Sequence, residues 1–309
     1  MVKEKVLLLS NIEQFYVLRD GNVADLISTY STKIKNVVTE LIGEKFNEYE
    51  RIYFGNEFCE YLLPTVEQVE EVMAYCKKQN KLFSVVTPYI SESSLKKIDK
   101  LLDYLDEKNE DIEVVCNDWG VCSIIHEKYS NLKAVIGRLL DKMSKDARLS
   151  KEDYDRIFDE NSIEYLKSSN TYVDSYIDIL REYGVERIEY DCPPQGLNIN
   201  TKVKDIYASA YMPFGYITTG RMCMMKFLSQ DGNEKYSLEK GCVRNCQKYD
   251  QVMRKIRNCV YGDNAECGIK NIELYRKGNT IFYLSENYDE IISNNELIDR
   301  VIFQPTIPM

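Results

Sequence analysis

Leu82-Phe83-Ser84-Val85-Val86, then the spaced residues Leu95, Ile98, Leu102 and Leu105, then the run Ile112 to Cys116, decide the fold. An apolar run of strand length, a stretch of helical period and a second such run read as buried strand, covering helix, buried strand. The same alternation recurs on both sides. Val6-Leu7-Leu8-Leu9 and Ile52-Tyr53-Phe54 read as earlier strands; Leu132 to Ile136, Arg187 to Tyr190 and Asp205 to Ala210 read as later ones. Thr65-Val66-Glu67-Gln68 is a capping-box pattern that opens a helix with Val66, Val69, Met73 and Cys76 on one face. Another helix carries Val173, Ile177 and Leu180 inward and stops at Gly184. Repeated β–α units of this kind imply a parallel sheet covered by helices. We therefore expect an α/β fold, a TIM-like (β/α) barrel, incomplete or distorted in part, over residues 1–250, with a cysteine-bearing loop at about 211–250. Residues 251–309 then form a C-terminal extension packed on the barrel, with a β-hairpin of Ile272 to Tyr275 and Thr280 to Leu284. A doubly wound open sheet is the alternative, weakened by the lack of a glycine-rich phosphate loop after the first strand.

The chain has 309 residues, 44% of them hydrophobic and 29% charged, ample for one large core. Its longest N-terminal apolar run, Val6 to Leu9, is too short for a signal h-region or a membrane span, so we expect a soluble, cytoplasmic protein with no membrane partner. A formal net charge of −10 argues against nucleic acid, whose binders present a basic face to phosphates. Ten cysteines are many for a compartment where disulfides are rare and thiols serve as core groups, nucleophiles or metal ligands. The single histidine, His126, excludes a multi-histidine metal site within one chain. Any transition metal would rely on thiolates, which favour zinc or iron–sulfur clusters.

The chemically distinctive residues fall just after strands. Cys59 follows the second, Asn117, Asp118 and Trp119 the fourth, Arg138 the fifth, Asp191 and Cys192 the sixth, and Cys223 the seventh. In a (β/α) barrel all of these project from the C-terminal face, where sites are built. The strongest local pattern is Gly220-Arg221-Met222-Cys223 followed by Lys240-Gly241-Cys242-Val243-Arg244-Asn245-Cys246, a C-x18-C-x3-C spacing. With Cys59 arriving across the barrel mouth, Cys59, Cys223, Cys242 and Cys246 could serve one centre, with Arg221, Arg244 and Lys248 offsetting its negative charge. Three readings stay open: an iron–sulfur cluster, a structural zinc on four cysteines, and four unconnected thiols. Cys116, Cys122 and Cys192 are spare thiols near the same face, and Cys259 and Cys267 lie further along. Asp118 is a candidate for substrate binding or proton transfer, and equally for a helix N-cap. Arg138 could hold a carboxylate through its planar fork, or form a structural ion pair. Trp119 and Tyr216 fit packing better than chemistry. His126 has no evident Ser or Cys partner, which speaks against a peptidase.

At these residues the sequence resembles the collagenase-like peptidase family (unassigned peptidase family thirty-two), most closely its UbiV-like branch. The matching stretches are Phe54-Gly55-Asn56-Glu57-Phe58-Cys59, Val115-Cys116-Asn117-Asp118-Trp119-Gly120, Ile136-Gly137-Arg138, Arg187-Ile188-Glu189-Tyr190-Asp191 and Met212-Pro213-Phe214-Gly215-Tyr216-Ile217-Thr218-Thr219-Gly220-Arg221-Met222-Cys223, in family order from about Arg51 to Tyr249. Several members look like oxygen-independent hydroxylases that carry a 4Fe–4S cluster, take oxygen from prephenate and act on RNA bases or ubiquinone precursors. The resemblance thus implies a 4Fe–4S cluster on Cys59, Cys223, Cys242 and Cys246, with Asp118 and Arg138 orienting a small-molecule substrate. It also implies a homologous partner subunit. The gap between Cys223 and Cys242 is longer than the branch's own, and the added residues are polar and loop-like. A non-catalytic, cluster-bearing partner subunit is the alternative, with a peptidase behind it.

Overall fold

A computed structural model describes residues 3–28, 35–36, 38–39, 46–108, 110, 112–146, 149–228, 232, 241–249, 251–253 and 273–309. Seven parallel strands follow one another around a ring: β1 (Glu4–Leu9), β2 (Arg51–Gly55), β3 (Leu82–Thr87), β4 (Ile112–Cys116), β5 (Leu132–Ile136), β6 (Arg187–Tyr190) and β7 (Tyr207–Met212). The chain then leaves the ring through a cis Met212–Pro213 peptide. It builds a four-stranded antiparallel sheet from β8 (Phe214–Thr219), β9 (Gln251–Met253), β10 (Leu274–Lys277) and β11 (Thr280–Leu284), in the order β8-β11-β10-β9. It returns with β12 (Ile298–Phe303), which pairs parallel to both β7 and β1 and closes the barrel.

The ring is therefore a complete eight-stranded TIM-like barrel. This corrects the boundary expected at residue 250. The hairpin of β10 and β11 is present, but the end of the chain is barrel wall and not an appended extension. The reason lies in Ile298-Asp299-Arg300-Val301-Ile302-Phe303, where two adjacent charged residues break the apolar run. Arg300 nonetheless points into the barrel, where it meets Glu4, Glu113 and Tyr53. A second correction concerns order along the chain, because Cys223 follows β8 and not the seventh strand.

The covering helices form for local reasons. Thr65 and Gln68 cap Val66–Lys78 reciprocally, and Val69, Val72, Met73 and Cys76 are its buried face. Ile98, Leu101, Leu102 and Leu105 bury the face of Leu95–Glu107, while Leu95 itself is exposed. Ile177 and Leu180 do the same for Asp174–Glu182, and Val173 sits outside as its N-cap. Among the described residues no helix is long and apolar enough to cross a membrane.

Alternation along the strands sends every second side chain into the barrel. The middle of the interior is Val6, Leu8, Tyr53, Val86, Val115, Val135, Tyr211 and Ile302, with the buried Glu189 among them. The end from which the strands start is charged. Arg300 donates to Glu113 at 2.7 and 3.0 Å, Arg51 to Glu4 at 2.7 Å, and Arg187 to Asp299 at 2.6 Å. At the opposite end the antiparallel sheet lies over the mouth. Phe58 packs edge-on against Phe282 at 5.1 Å and tilted against Tyr216 at 5.6 Å. Gly215 permits that approach, since a Cβ there would stand 2.1 Å from the Tyr283 ring.

Candidate functional site

The four cysteines lie at one end of the barrel, within electrostatic range of one another. Cys59 lies in the turn after β2, where the amides of Phe58 and Cys59 both donate to Asn56 Oδ1, at 2.9 and 3.0 Å. Cys223 caps the single helical turn Met224–Phe227 that follows β8. Arg244, in the left-handed region at φ +57°, turns the chain between Cys242 and Cys246. Cys59 interacts electrostatically with Cys223, Cys242 and Cys246, and Cys246 with Cys223 and Cys242.

N–H groups favour the thiolate at Cys59 and Cys223 and hydrogen-bond to the sulfurs of Cys242 and Cys246. The Tyr61 amide favours the charged form of Cys59, and the Met225 and Lys226 amides that of Cys223. The Arg244 amide donates to Cys242 Sγ at 3.4 Å, and Gln247 Nε2 to Cys246 Sγ at 3.7 Å. Burial pushes the Cys59 thiol up to about 12, and it raises Cys223 and Cys246 as well. Lys226 favours the charged form of Cys223, and Lys277 that of Cys246. Such thiols stay protonated when empty and ionise when a cation binds them. Among the described residues, no three Cys, His, Asp or Glu side chains are placed to share one metal ion. Thiolates around a single zinc stand about 3.8 Å apart, from a tetrahedral bond of about 2.3 Å. Cys116, Cys122 and Cys192 are buried away from the four as core thiols, and Cys259 and Cys267 lie outside the described residues.

Behind the cysteines the barrel mouth holds a buried charge lattice. Arg138 is 1% exposed, and its Nε and Nη2 donate to the two oxygens of Glu57 at 2.8 Å each. Its Nη1 donates to Asp191 Oδ1 and to the Phe214 carbonyl, both at 2.7 Å. The guanidinium also stacks over the Tyr211 ring at 4.0 Å. Lys145 pairs with the other oxygen of Asp191 and lies over the Tyr216 ring at 4.3 Å. Two cations thus face two carboxylates. Burial alone would raise Asp191, but Lys145 and Arg138 hold it below its usual value. For Glu57 burial outweighs Arg138, and the carboxyl is raised. The expectation that Arg138 receives a substrate carboxylate is corrected here: its fork is already occupied by Glu57 and shut off from solvent.

Asp118 is half-buried and caps the helix Trp119–Lys128. Its Oδ1 accepts the Gly120 amide at 2.7 Å and its Oδ2 the Ile90 amide at 3.2 Å. Both oxygens therefore serve backbone donors, a structural task. Asp118→Ala is expected to lower stability by about 1 kcal/mol, as for other lost N-caps. Urea unfolding checks this, and a change in ligand binding with unchanged stability would contradict it. Trp119 packs edge-on against Tyr176 and Tyr183 at 5.8 and 6.2 Å, and the exposed His126 stacks on Tyr183 at 5.3 Å.

Glu57, Lys145 and Glu189 were not singled out from the sequence. For Glu189 the signal was present in β6 and the residue after it, where Arg187, Glu189 and Asp191 recur at every second position. Charges at that period share one face of the strand, and contacts of Glu189 with Tyr211 and of Arg187 with Ser209 make that face the barrel interior.

No family model matches the chain, and no curated protein matches it. One solved structure similar along nearly its whole length is a U32 peptidase. The two share 12% identity over 99% of this chain and 94% of the other, with a TM-score of 0.38. The chain is also similar to Streptococcus suis SuiB bound to its precursor peptide SuiA, at 12% identity over 52% of this chain and 44% of that one, with a TM-score of 0.27. SuiB bound to S-adenosylmethionine gives 12% identity over 58% and 50%, again at 0.27. Likeness at this level assigns no family.

Proposed function

We propose that this chain is an iron–sulfur protein whose Cys59, Cys223, Cys242 and Cys246 hold a 4Fe–4S cluster. The observation that carries the reading is that Cys59, Cys223, Cys242 and Cys246 lie within electrostatic range of one another, with an N–H donor at the sulfurs of Cys242 and Cys246. Hydrogen bonds to cysteine sulfur, nearby cations and partial burial are the means by which proteins hold an anionic cluster and set its potential. When bound the cluster supplies one-electron redox chemistry.

Two features favour a subunit that carries the cluster for a partner protein over one that binds substrate in its own barrel. The mouth is filled by Phe58, Tyr216, Phe282 and Tyr283 above the Arg138 lattice. Met222, Met224, Leu228, Val243 and Tyr249, all near the cysteines in sequence, are exposed. Large apolar side chains left in water beside a functional centre suit a docking face. The second reading, an oxygen-independent hydroxylase acting on a small organic substrate, is favoured by one groove. It measures about 310 Å³ and is lined by Thr218, Thr219, Met222, Met224 and Arg276, beside Gly278, whose Cβ would stand 3.4 Å from that of Cys246. A peptidase is not proposed, because His126 stacks on a tyrosine in the open.

Anaerobic purification with iron, acid-labile sulfide and absorption measurements tests the reading. Iron and sulfide in 4Fe–4S proportion are expected, and Cys→Ser at any of the four positions should lose or convert the cluster. A colourless protein after anaerobic reconstitution, or one holding zinc, would sink it.

A further inference from the structure

Barrel interiors are filled by branched apolar residues. This one has a carboxyl at its centre. Glu189 is 0% exposed; its Oε2 accepts the Tyr211 hydroxyl, and its Oε1 meets no partner among the described residues. An orphaned buried acceptor costs about 1–3 kcal/mol, and a buried carboxylate more, so the position asks for a reason beyond packing. Around it stand Tyr53 and Glu57 from β2 and its following turn, Tyr211 from β7 and Arg300 from β12. Val6, Val86, Val115 and Val135 complete the cage without charge.

Two hydroxyls connect the carboxyl to the two ends of the barrel. Tyr211, which donates to Glu189, also bears on Glu57, two residues before Cys59. Tyr53 bears on Glu189 and accepts from Arg300 Nη1 at 2.7 Å, and the same nitrogen donates to Glu113 at 2.7 Å. Glu113 lines a cavity of about 400 Å³ at the end where the strands begin.

We propose that Glu189 is a proton-binding site inside the barrel, and that it takes up a proton when negative charge is added at the cysteine end. The second half rests on the cluster reading above. One electron from an external one-electron donor adds one negative charge at the cysteines; one proton from solvent converts the Glu189 carboxylate to the carboxylic acid. Reoxidation returns both. Burial holds the Glu189 proton up to about 8, with no cation paired to the carboxyl directly, so a further negative charge within the barrel raises it again. Uptake on reduction is then confined to solutions above about pH 8, where the oxidised protein has released the proton.

The experiment uses the full chain, with and without cluster. In the cluster-free protein at neutral pH, infrared spectra should contain a deuterium-sensitive carbonyl band of a buried carboxylic acid, absent in Glu189→Gln. In the reconstituted protein, titrated with dithionite, the midpoint potential should be flat below about pH 8. Above it the potential should fall by about 59 mV per pH unit, one proton per electron. Glu189→Gln should be flat throughout, and Tyr211→Phe, which keeps the ring, should shift the infrared band. A missing band, or a slope that survives in Glu189→Gln, would overturn the proton site. A chain that keeps the band but takes up no iron and sulfide overturns the coupling together with the cluster reading.

Discussion

Arg138→Met is expected to destabilise the folded barrel by on the order of 3–5 kcal/mol, the cost of stripping one partner from a buried ion pair. The side chain is held at four hydrogen bonds, two to Glu57, one to Asp191 and one to the Phe214 carbonyl. Methionine fills much of the same space and removes every donor. Glu57 then stands buried with its paired cation gone, and Asp191 keeps Lys145 and the Tyr216 amide. Arg138→Lys should recover part of the loss, because an ammonium restores a charge but cannot reach both Glu57 oxygens and Asp191 with one planar fork. Urea unfolding of the two variants, followed by circular dichroism, reads the difference. If Arg138 were instead a substrate-binding residue, its loss would leave unfolding unchanged and appear only in ligand affinity.

That contrast marks what the sequence could and could not convey. The strands after Leu82 and Ile112 and the helix capped by Thr65 were legible because each is specified by neighbours: period, capping pair, flanking loop. The placement of Cys59, Asp118 and Arg138 at one end of a barrel followed from their position after strands. The partners of Arg138 did not. Glu57 is 81 residues away, and nothing in the local pattern of either residue says that they meet. The eighth strand was missed for a related reason. Asp299 and Arg300 look like surface residues until the barrel is closed, when Arg300 becomes the hub joining Glu4, Glu113 and Tyr53. The motif around Cys223 was legible as a cysteine spacing, yet the antiparallel sheet that carries it over the mouth is set by β8 pairing with β11, more than sixty residues on.

The two inward glutamates, Glu113 and Glu189, should make stability depend on pH in opposite directions. Glu113 is buried, which by itself would raise it. Hydrogen bonds and charge from Arg300, with further charge from Arg51 and Arg187, win and pull it down to about 2 from an ordinary 4.5. A carboxyl depressed in the folded state stabilises above its unfolded value. That contribution, on the order of 3 kcal/mol, is lost as pH falls from 4.5 toward 2. Glu189 behaves in the reverse sense. Burial lifts it from 4.5 to about 8, so the fold prefers the protonated form. Its favourable share is complete below 4.5 and is lost as pH climbs through 8, a swing of several kcal/mol by the same linkage. Glu113→Gln should therefore be destabilised at neutral pH and converge on the parent protein in acid. Glu189→Gln should match the parent near pH 4.5 and become the more stable of the two as pH approaches 8. Unfolding midpoints in urea across that range decide it. Parallel curves for Glu189→Gln and the parent would mean that the buried carboxyl has found a cation or a water the barrel supplies. The opposite slopes of the two variants would show that two glutamates in one barrel, the first beside three arginines and the second among tyrosines and valines, are kept in different protonation states by their neighbours alone.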